Sequence, residues 1–179
     1  MTELHTPRLR LRPARQGDLA ALHAVLSDAR AMRCWSTPPH DNLEITQAWL
    51  RGMISAPPET SHDFIVEHQG QVIGKAGFYQ LPEIGFILHP DYWGRGLARE
   101  ALEAVIASAF ANYPIPKIIA DVDPRNTGSL AVLARLGFTE TGRAEKTFLL
   151  GDIWCDSVYL ALERPLTSSS PSGLGGEAR

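Results

Sequence analysis

Apolar positions along this chain follow two rhythms, a period of two and a period near 3.6, and the switches between them mark its elements. Residues 8–14 alternate Leu9 and Leu11 with arginines and predict a half-buried strand, with Arg8, Arg10, Arg12 and Arg15 toward solvent. Asp18 then suits the N-cap of a helix carrying Leu19, Leu22, Val25 and Leu26 on one face. Residues 31–42, with Trp35 and Pro38-Pro39, read as a loop. An Asp41-Asn42 cap opens a second helix over about residues 43–54, with Ile45, Trp49, Leu50 and Met53 on one face, and Pro57-Pro58 closes it.

A hairpin follows, residues 63–67 and 72–79 around a Gln69-Gly70 turn, with Gly74 and Gly77 marking a bulge or a close backbone approach. The stretch that organises the chain comes next: a buried strand over residues 84–88, a Pro-broken turn, the two-glycine loop Gly94-Arg95-Gly96, and an alanine-rich helix. Residues 117–122 make another apolar strand. Asp123-Pro124-Arg125-Asn126 is turn chemistry, with Asn126 a suitable N-cap for a helix showing Leu130, Leu133, Ala134 and Leu136. Gly137 fits that helix's C′ position, with Phe138 packing back. Residues 138–143 and 148–162 read as strands around a Gly151-Asp152 turn. The resulting order, β-α-α-β-β-β-α-β-α-β-β, implies a mixed sheet with helices on both faces. Residues 1–166 form one domain, and the Ser-, Gly- and Pro-rich residues 167–179 read as a disordered tail.

Composition narrows the function. A chain of 179 residues suits one domain. Its net charge of −3 argues against a nucleic-acid surface, which needs clustered positive charge. The start of the sequence shows no signal-peptide pattern, and no apolar run reaches membrane-spanning length. Cys34 and Cys155 match no metal or C-x-x-C spacing. The expectation is a soluble cytoplasmic protein with reduced thiols and no metal.

The candidate chemistry lies in the two-glycine loop. Backbone N–H groups of the first turn of the helix behind it point outward with the positive end of the helix dipole, which makes a site for a phosphate or pyrophosphate. Arg95 and Arg99 flank it and could bind the same anion. The P-loop string G-x-x-x-x-G-K-[ST] is absent. Gly94 and Gly96 supply the first two glycines of the dinucleotide fingerprint, with Asp121 ending the next strand. Arg99, however, stands where a Gly or Ala must let helix and strand pack, and a proline-containing segment separates Leu88 from Gly94.

A third pattern fits better. Trp93-Gly94-Arg95-Gly96-Leu97-Ala98 resembles the [RQ]-x-x-G-x-[GA] signature of the acetyl-CoA-dependent N-acetyltransferases of the GNAT superfamily, with Trp93 in place of Arg or Gln. The string Y-W-G-R-G-L-A-R-E-A-L, then Asn126-x-x-Ser129, Arg135-Leu136-Gly137-Phe138, residues 151–156 and the opening T-P-R-L-R-L-R-P resemble the ribosomal-protein N-terminal (Rim-type) subgroup. The resemblance covers most of residues 6–163. It implies a GNAT-like α/β (α+β) fold, with a mixed, mostly antiparallel sheet of about six to seven strands.

The resemblance also implies acetyl transfer from acetyl-CoA to a primary amine, a protein N-terminus or a small molecule, by direct attack on the thioester. The pyrophosphate would lie on the N–H groups of Arg95, Gly96, Leu97, Ala98 and Arg99, and the pantetheine arm along Phe86, Ile87 and Leu88. A backbone N–H of that strand would serve as oxyanion donor. Asn126 resembles the family's contact to the CoA arm and is equally a helix cap. Ser129 would protonate the departing thiolate, and Glu83 would accept the amine's proton. Asp121, Tyr79, His62 and His89 are poorer candidates for that task. Trp35 and Trp49 could wall the acceptor pocket, although Trp49 also fits the helix's core face. A non-catalytic acyl-CoA-binding module of the same fold is the competing reading, with homodimerisation open in either case. The acidic residues Asp41, Glu44 and Glu59 could attract a cationic amine.

Overall fold

Sequential hairpins and two helical crossovers place eight strands in one sheet, in the order β1-β2-β3-β4-β5-β6-β8-β7. The computed structural model describes residues 2–165; the tail expected at residues 167–179 lies outside the described residues. The strands are β1 (Leu4–His5), β2 (Leu9–Arg12), β3 (His62–His68), β4 (Gln71–Gln80), β5 (Glu83–Leu88), β6 (Lys117–Val122), β7 (Thr139–Leu150) and β8 (Ile153–Glu163). The helices are α1 (Leu19–Leu26), α2 (Ala29–Met32), α3 (Leu43–Ser55), α4 (Leu97–Asn112) and α5 (Thr127–Arg135). All strand pairs are antiparallel except β5–β6, so the mixed, mostly antiparallel sheet is as expected, with β1 as an added two-residue edge.

Side-chain alternation sends the strands' residues into two cores, one on each face. Phe64, Val66, Ile84 and Leu88 pack with Leu97, Ala101, Leu102 and Val105 of α4. Ile65 and Ile87 pack on the opposite face with Leu22, Val25 and Leu26 of α1 and Leu50 and Met53 of α3. Because both faces are covered, β3 is buried along its whole length rather than alternately.

The same double coverage corrects the reading of the arginine-rich strand. Arg12 is not on a solvent face: it is 2% exposed. A 3-10 turn, Gln16–Asp18, closes over it, and its guanidinium is held by Asp18 at 2.6 Å and Glu67 at 2.7 Å. Asp18 accordingly does not cap α1 through its side chain. Its carboxylate takes Arg12 and the backbone N–H of Arg15 instead. Burial alone would raise the Asp18 carboxyl, but these donors hold it below its usual range. On α3, Ile45 is exposed rather than inward, while Asn42 caps the helix by accepting from the Ile45 N–H at 3.1 Å. The C-terminal hairpin also differs from expectation. β7 runs unbroken to Leu150 through a bulge between Ala144 and Phe148, where Lys146 takes φ +53.

The helix ends that flank the site follow their sequence signals. α5 finishes with two capping bonds, Phe138 N–H to Leu133 O and Gly137 N–H to Ala134 O, both 3.1 Å, with Gly137 at φ +90. This is the Schellman arrangement read from Leu136-Gly137-Phe138. α4 starts at Gly96, whose φ of +75 suits glycine, and no side chain caps it.

Candidate active site

The parallel pair β5–β6 is joined at one register position, Glu83 with Ile119, with the Ile119 N–H also donating to Pro82 O at 3.1 Å. Beyond that point β6 stays paired with β8 through Val122, and β5 stays paired with β4 through Leu88. The sheet therefore splits toward the carboxyl ends of two parallel strands. Each strand there leads through a short loop into a helix N-terminus, α4 from β5 and α5 from β6. Such a crevice is where open α/β sheets take ligands.

Backbone alternation decides which groups of β5 face the split. The Ile87 carbonyl points at β4, lying 2.0 Å from where a Gly74 Cβ would stand. The backbone of Ile87 is thus turned away from the split, and its side chain is in the α1–α3 core. Phe86 and Leu88 alternate with it and face the split. The Leu88 carbonyl already accepts from Trp93 Nε1 at 2.9 Å. Trp93, the residue that departs from the family signature, clamps the strand end to the loop.

Around Gly96 the loop is held from outside. Arg8 donates to Arg95 O at 2.8 Å and to Glu100 at 2.6 Å, while Thr6 donates to the other Glu100 oxygen at 2.6 Å. Burial would raise Glu100, but these donors keep it below the ordinary carboxylate range. Arg95 does not reach forward to an anion. Its guanidinium lies over the Tyr92 ring at 5.5 Å and donates to His68 Nε2 at 3.2 Å. Arg99 is paired with Glu103 at 2.8 Å. Both arginine side chains are thus engaged within the protein here. What remains for an anion is the uncapped first turn of α4: the N–H groups of Leu97, Ala98 and Arg99 precede the first i→i−4 bond, Glu100 N–H to Gly96 O at 3.1 Å. Leu97 and Ala98 direct their side chains to the core.

At the other helix, Asn126 Oδ1 accepts from the Ser129 N–H at 3.1 Å, which is the capping half of its two expected roles. Ser129 is half-buried in the first turn of α5. Glu83 is exposed at the start of β5, on the α1–α3 face with Gly85. Trp35, in the loop after α2, reaches that face. Its Cη2 lies 3.9 Å from where a Gly85 Cβ would stand, and its ring is 5.9 Å from Lys75 Nζ. Trp49 packs against the core beneath α3 and, with Ala48, Gly52, Met53 and Tyr79, lines an apolar cleft of about 290 Å³.

The remaining candidates lie elsewhere. His62 is buried between Ser108 Oγ (2.9 Å) and Tyr113 Oη (3.3 Å), and burial pushes its pKa down to about 4. His89 caps the turn Pro90–Tyr92, and Asp121 is exposed opposite Tyr159 on β8. Cys155 is buried and takes Arg125 Nη2 at 3.0 Å, and burial raises the Cys34 thiol. Three residues of this region were missed in the sequence. Arg8, read as solvent-facing, is the loop's clamp, and T-P-R-L ahead of the strand was its signal. Lys75 and Asp63 carried no local signal, because their pairing depends on the β3–β4 register. Among the described residues no group of three or more His, Cys, Asp or Glu is placed to hold a metal ion, and no helix is long and apolar enough to cross a membrane.

Comparison with known proteins agrees with this geometry. Residues 8–139 match the family model described as Acetyltransferase (GNAT) domain. The uncharacterized N-acetyltransferase p20 of Bacillus licheniformis is 31% identical over 79% of this chain and 85% of its own. The spermidine N-acetyltransferase of Vibrio cholerae, solved with CoA and spermine, superposes with TM-score 0.76 at 21% identity over 88% of this chain and 96% of its own. The ribosomal-protein-S5-alanine acetyltransferase of Vibrio fischeri gives TM-score 0.77 at 20% identity over 91% and 97%. The family model spans well over half of the sequence, and the chain belongs to the GNAT acetyltransferases.

Proposed function

We propose that this acetyltransferase takes acetyl-CoA as acyl donor and transfers the acetyl group to a primary amine that attacks the thioester directly. The observation that carries this reading is the uncapped N-terminus of α4 beside the β5–β6 split. The N–H groups of Arg95 to Arg99 receive the pyrophosphate, and the helix dipole adds to them. Phe86 and the N–H of Leu88 lie along the pantetheine arm, and a backbone N–H of this strand polarises the thioester oxygen. Asn126 holds the first turn of α5 so that Ser129 meets the departing sulfur and supplies its proton. Glu83, on the open face of β5 near Trp35, accepts the proton that the ammonium must lose before it can attack. The acceptor is an amine that enters from the α1–α3 face. Relatives named for spermidine and for a ribosomal-protein alanine support a small amine and a protein N-terminus, respectively.

A thermal-shift series with acetyl-CoA, CoA, NAD and ATP tests the donor. A ligand at a hundredfold over its dissociation constant adds about 2.7 kcal/mol, or roughly 5–10 °C for a chain of this size. Shifts with acetyl-CoA and CoA alone are expected, and a shift with NAD alone would refute the reading. Release of CoA thiol across an amine panel then tests transfer.

A further inference from the structure

On the α1–α3 face, three register partners form a row across the sheet: Asp63 on β3, Gly77 on β4 and Gly85 on β5. The two glycines add no side chains to this row, and the Lys75 ammonium bridges it from Asp63 to Gly85. Two strand spacings, about 10 Å, separate its ends. Asp63 is 4% exposed and Lys75 is 3% exposed. Lys75 Nζ holds Asp63 Oδ2 at 2.9 Å, lies 3.5 Å from the Gly85 carbonyl, and faces the Trp35 ring. Its donors are thus directed to one oxygen of the carboxylate. The other oxygen, Oδ1, is buried with no hydrogen-bond partner among the described residues. It lies 2.9 Å from where a Cβ on Gly77 would stand, between β3 and β4. Burial raises the Asp63 carboxyl, and Lys75 and, more weakly, the Phe64 backbone N–H pull it back.

A buried ion pair adds little stability over an apolar pair of the same volume, and a buried acceptor without a donor costs free energy. Both costs fall beneath Trp35, beside the strand along which the thioester is proposed to lie. We propose that Asp63, with Lys75 fixing one of its oxygens, is the acceptor-recognising carboxylate: Oδ1 takes a hydrogen bond from a second N–H group on the amine being acetylated. The inference rests on the proposed acetyl transfer. It selects amines carrying a further N–H donor over amines with an apolar body, and Trp35 must swing off Gly85 to admit them. An ammonium and a neutral amide N–H share this chemistry, so the probes separate them.

The test compares 1,4-diaminobutane, glycinamide and butylamine on the wild-type protein and on Asp63→Asn. In Asp63→Asn, Lys75 draws the amide oxygen, which turns an NH2 group against the incoming donor. A charged-group hydrogen bond is worth roughly 10- to 100-fold in affinity. KM for the diamine, for glycinamide, or for both is expected to rise by about that factor, with butylamine unchanged within about twofold. Calorimetric binding of the same amines to the CoA-saturated protein gives a readout independent of turnover. The double variant Asp63→Leu/Lys75→Met removes the pair without leaving a buried charge, and the same selective loss is expected there. Equal changes for all three amines, no change, or no binding of either donor-bearing amine to the wild type would overturn the proposal. Binding without release of CoA thiol would instead overturn the acetyl-transfer reading.

Discussion

Glu83 on β5 and Ile119 on β6 form the one register pair between those strands among the described residues, and everything proposed for the donor lies beyond that pair. Side-chain changes at Glu83, in that pair, and at Ser129, in the first turn of α5, leave the backbone pairing intact and so test function with little cost to the fold. Glu83→Gln and Ser129→Ala are expected to lower kcat while leaving the acetyl-CoA dissociation constant within about twofold. A positioned proton acceptor contributes about 10²–10⁴-fold, so the Glu83 variant should show the larger loss. Unchanged kcat in both, measured by thiol release at saturating acetyl-CoA, would remove the roles assigned to them.

Gly96 carries a separate prediction for the anion site. Its φ of +75 costs a side-chain-bearing residue about 1–2 kcal/mol, and its N–H belongs to the turn proposed above for the pyrophosphate. A Cβ there would meet Arg8 Nη2 at 3.5 Å, an ordinary contact, so the substitution strains the backbone without a clash. Gly96→Ala is expected to fold, to lose part of its thermal stability, and to bind CoA more weakly by up to about tenfold. Titration of the variant's melting temperature against CoA reads both effects at once.

The elements around this loop were legible because each has a local cause. Gly96 opens α4, Asn126 caps α5, and Leu136-Gly137-Phe138 closes it through bonds within six residues. What the sequence hid is set by contacts distant along the chain. Arg12 looks like a solvent residue until the turn at Asp18 folds back and Glu67 arrives from β3. Asp63 and Lys75 look like alternate polar positions of a hairpin until the register places them diagonally under Trp35. Ile87 and Leu88 look equivalent as ligand contacts, and only strand pairing sends their backbone groups to opposite sides. For the acceptor side of the site, then, pattern gave the elements and pairing gave the chemistry.

Gly74 gives the sharpest structural prediction. Its φ of +153 brings β4 so close to β5 that an added Cβ would lie 2.0 Å from Ile87 O and 2.9 Å from Leu88 Cα. Both are backbone atoms, so no side chain can move aside, and the strand that borders the split must shift. Gly74→Ala is expected to destabilise the protein by at least about 3 kcal/mol, in the range reserved for steric and core lesions. Chemical denaturation of the variant checks this, and a loss below about 1 kcal/mol would mean that β5 is less tightly held than the structure shows.

His62 predicts how stability depends on pH. Burial holds its pKa at about 4 in the folded protein, against about 6.5 when unfolded, with Ser108 and Tyr113 on its two ring nitrogens. Between those values the unfolded chain binds the proton and the folded chain does not, so stability falls as the pH falls. The contribution is fully present above about pH 6.5 and is lost progressively down to about pH 4. It amounts to at most about 3 kcal/mol, from 1.36 kcal/mol per pKa unit. His62→Gln keeps a polar group between Ser108 and Tyr113 and removes the titration. Its stability at pH 7 should drop, because the ring's packing against Phe64 is lost. Its slope between about pH 6.5 and 4 should be shallower than that of the wild type. Parallel slopes for the two proteins, measured by urea unfolding across that range, would assign the acid sensitivity to other groups.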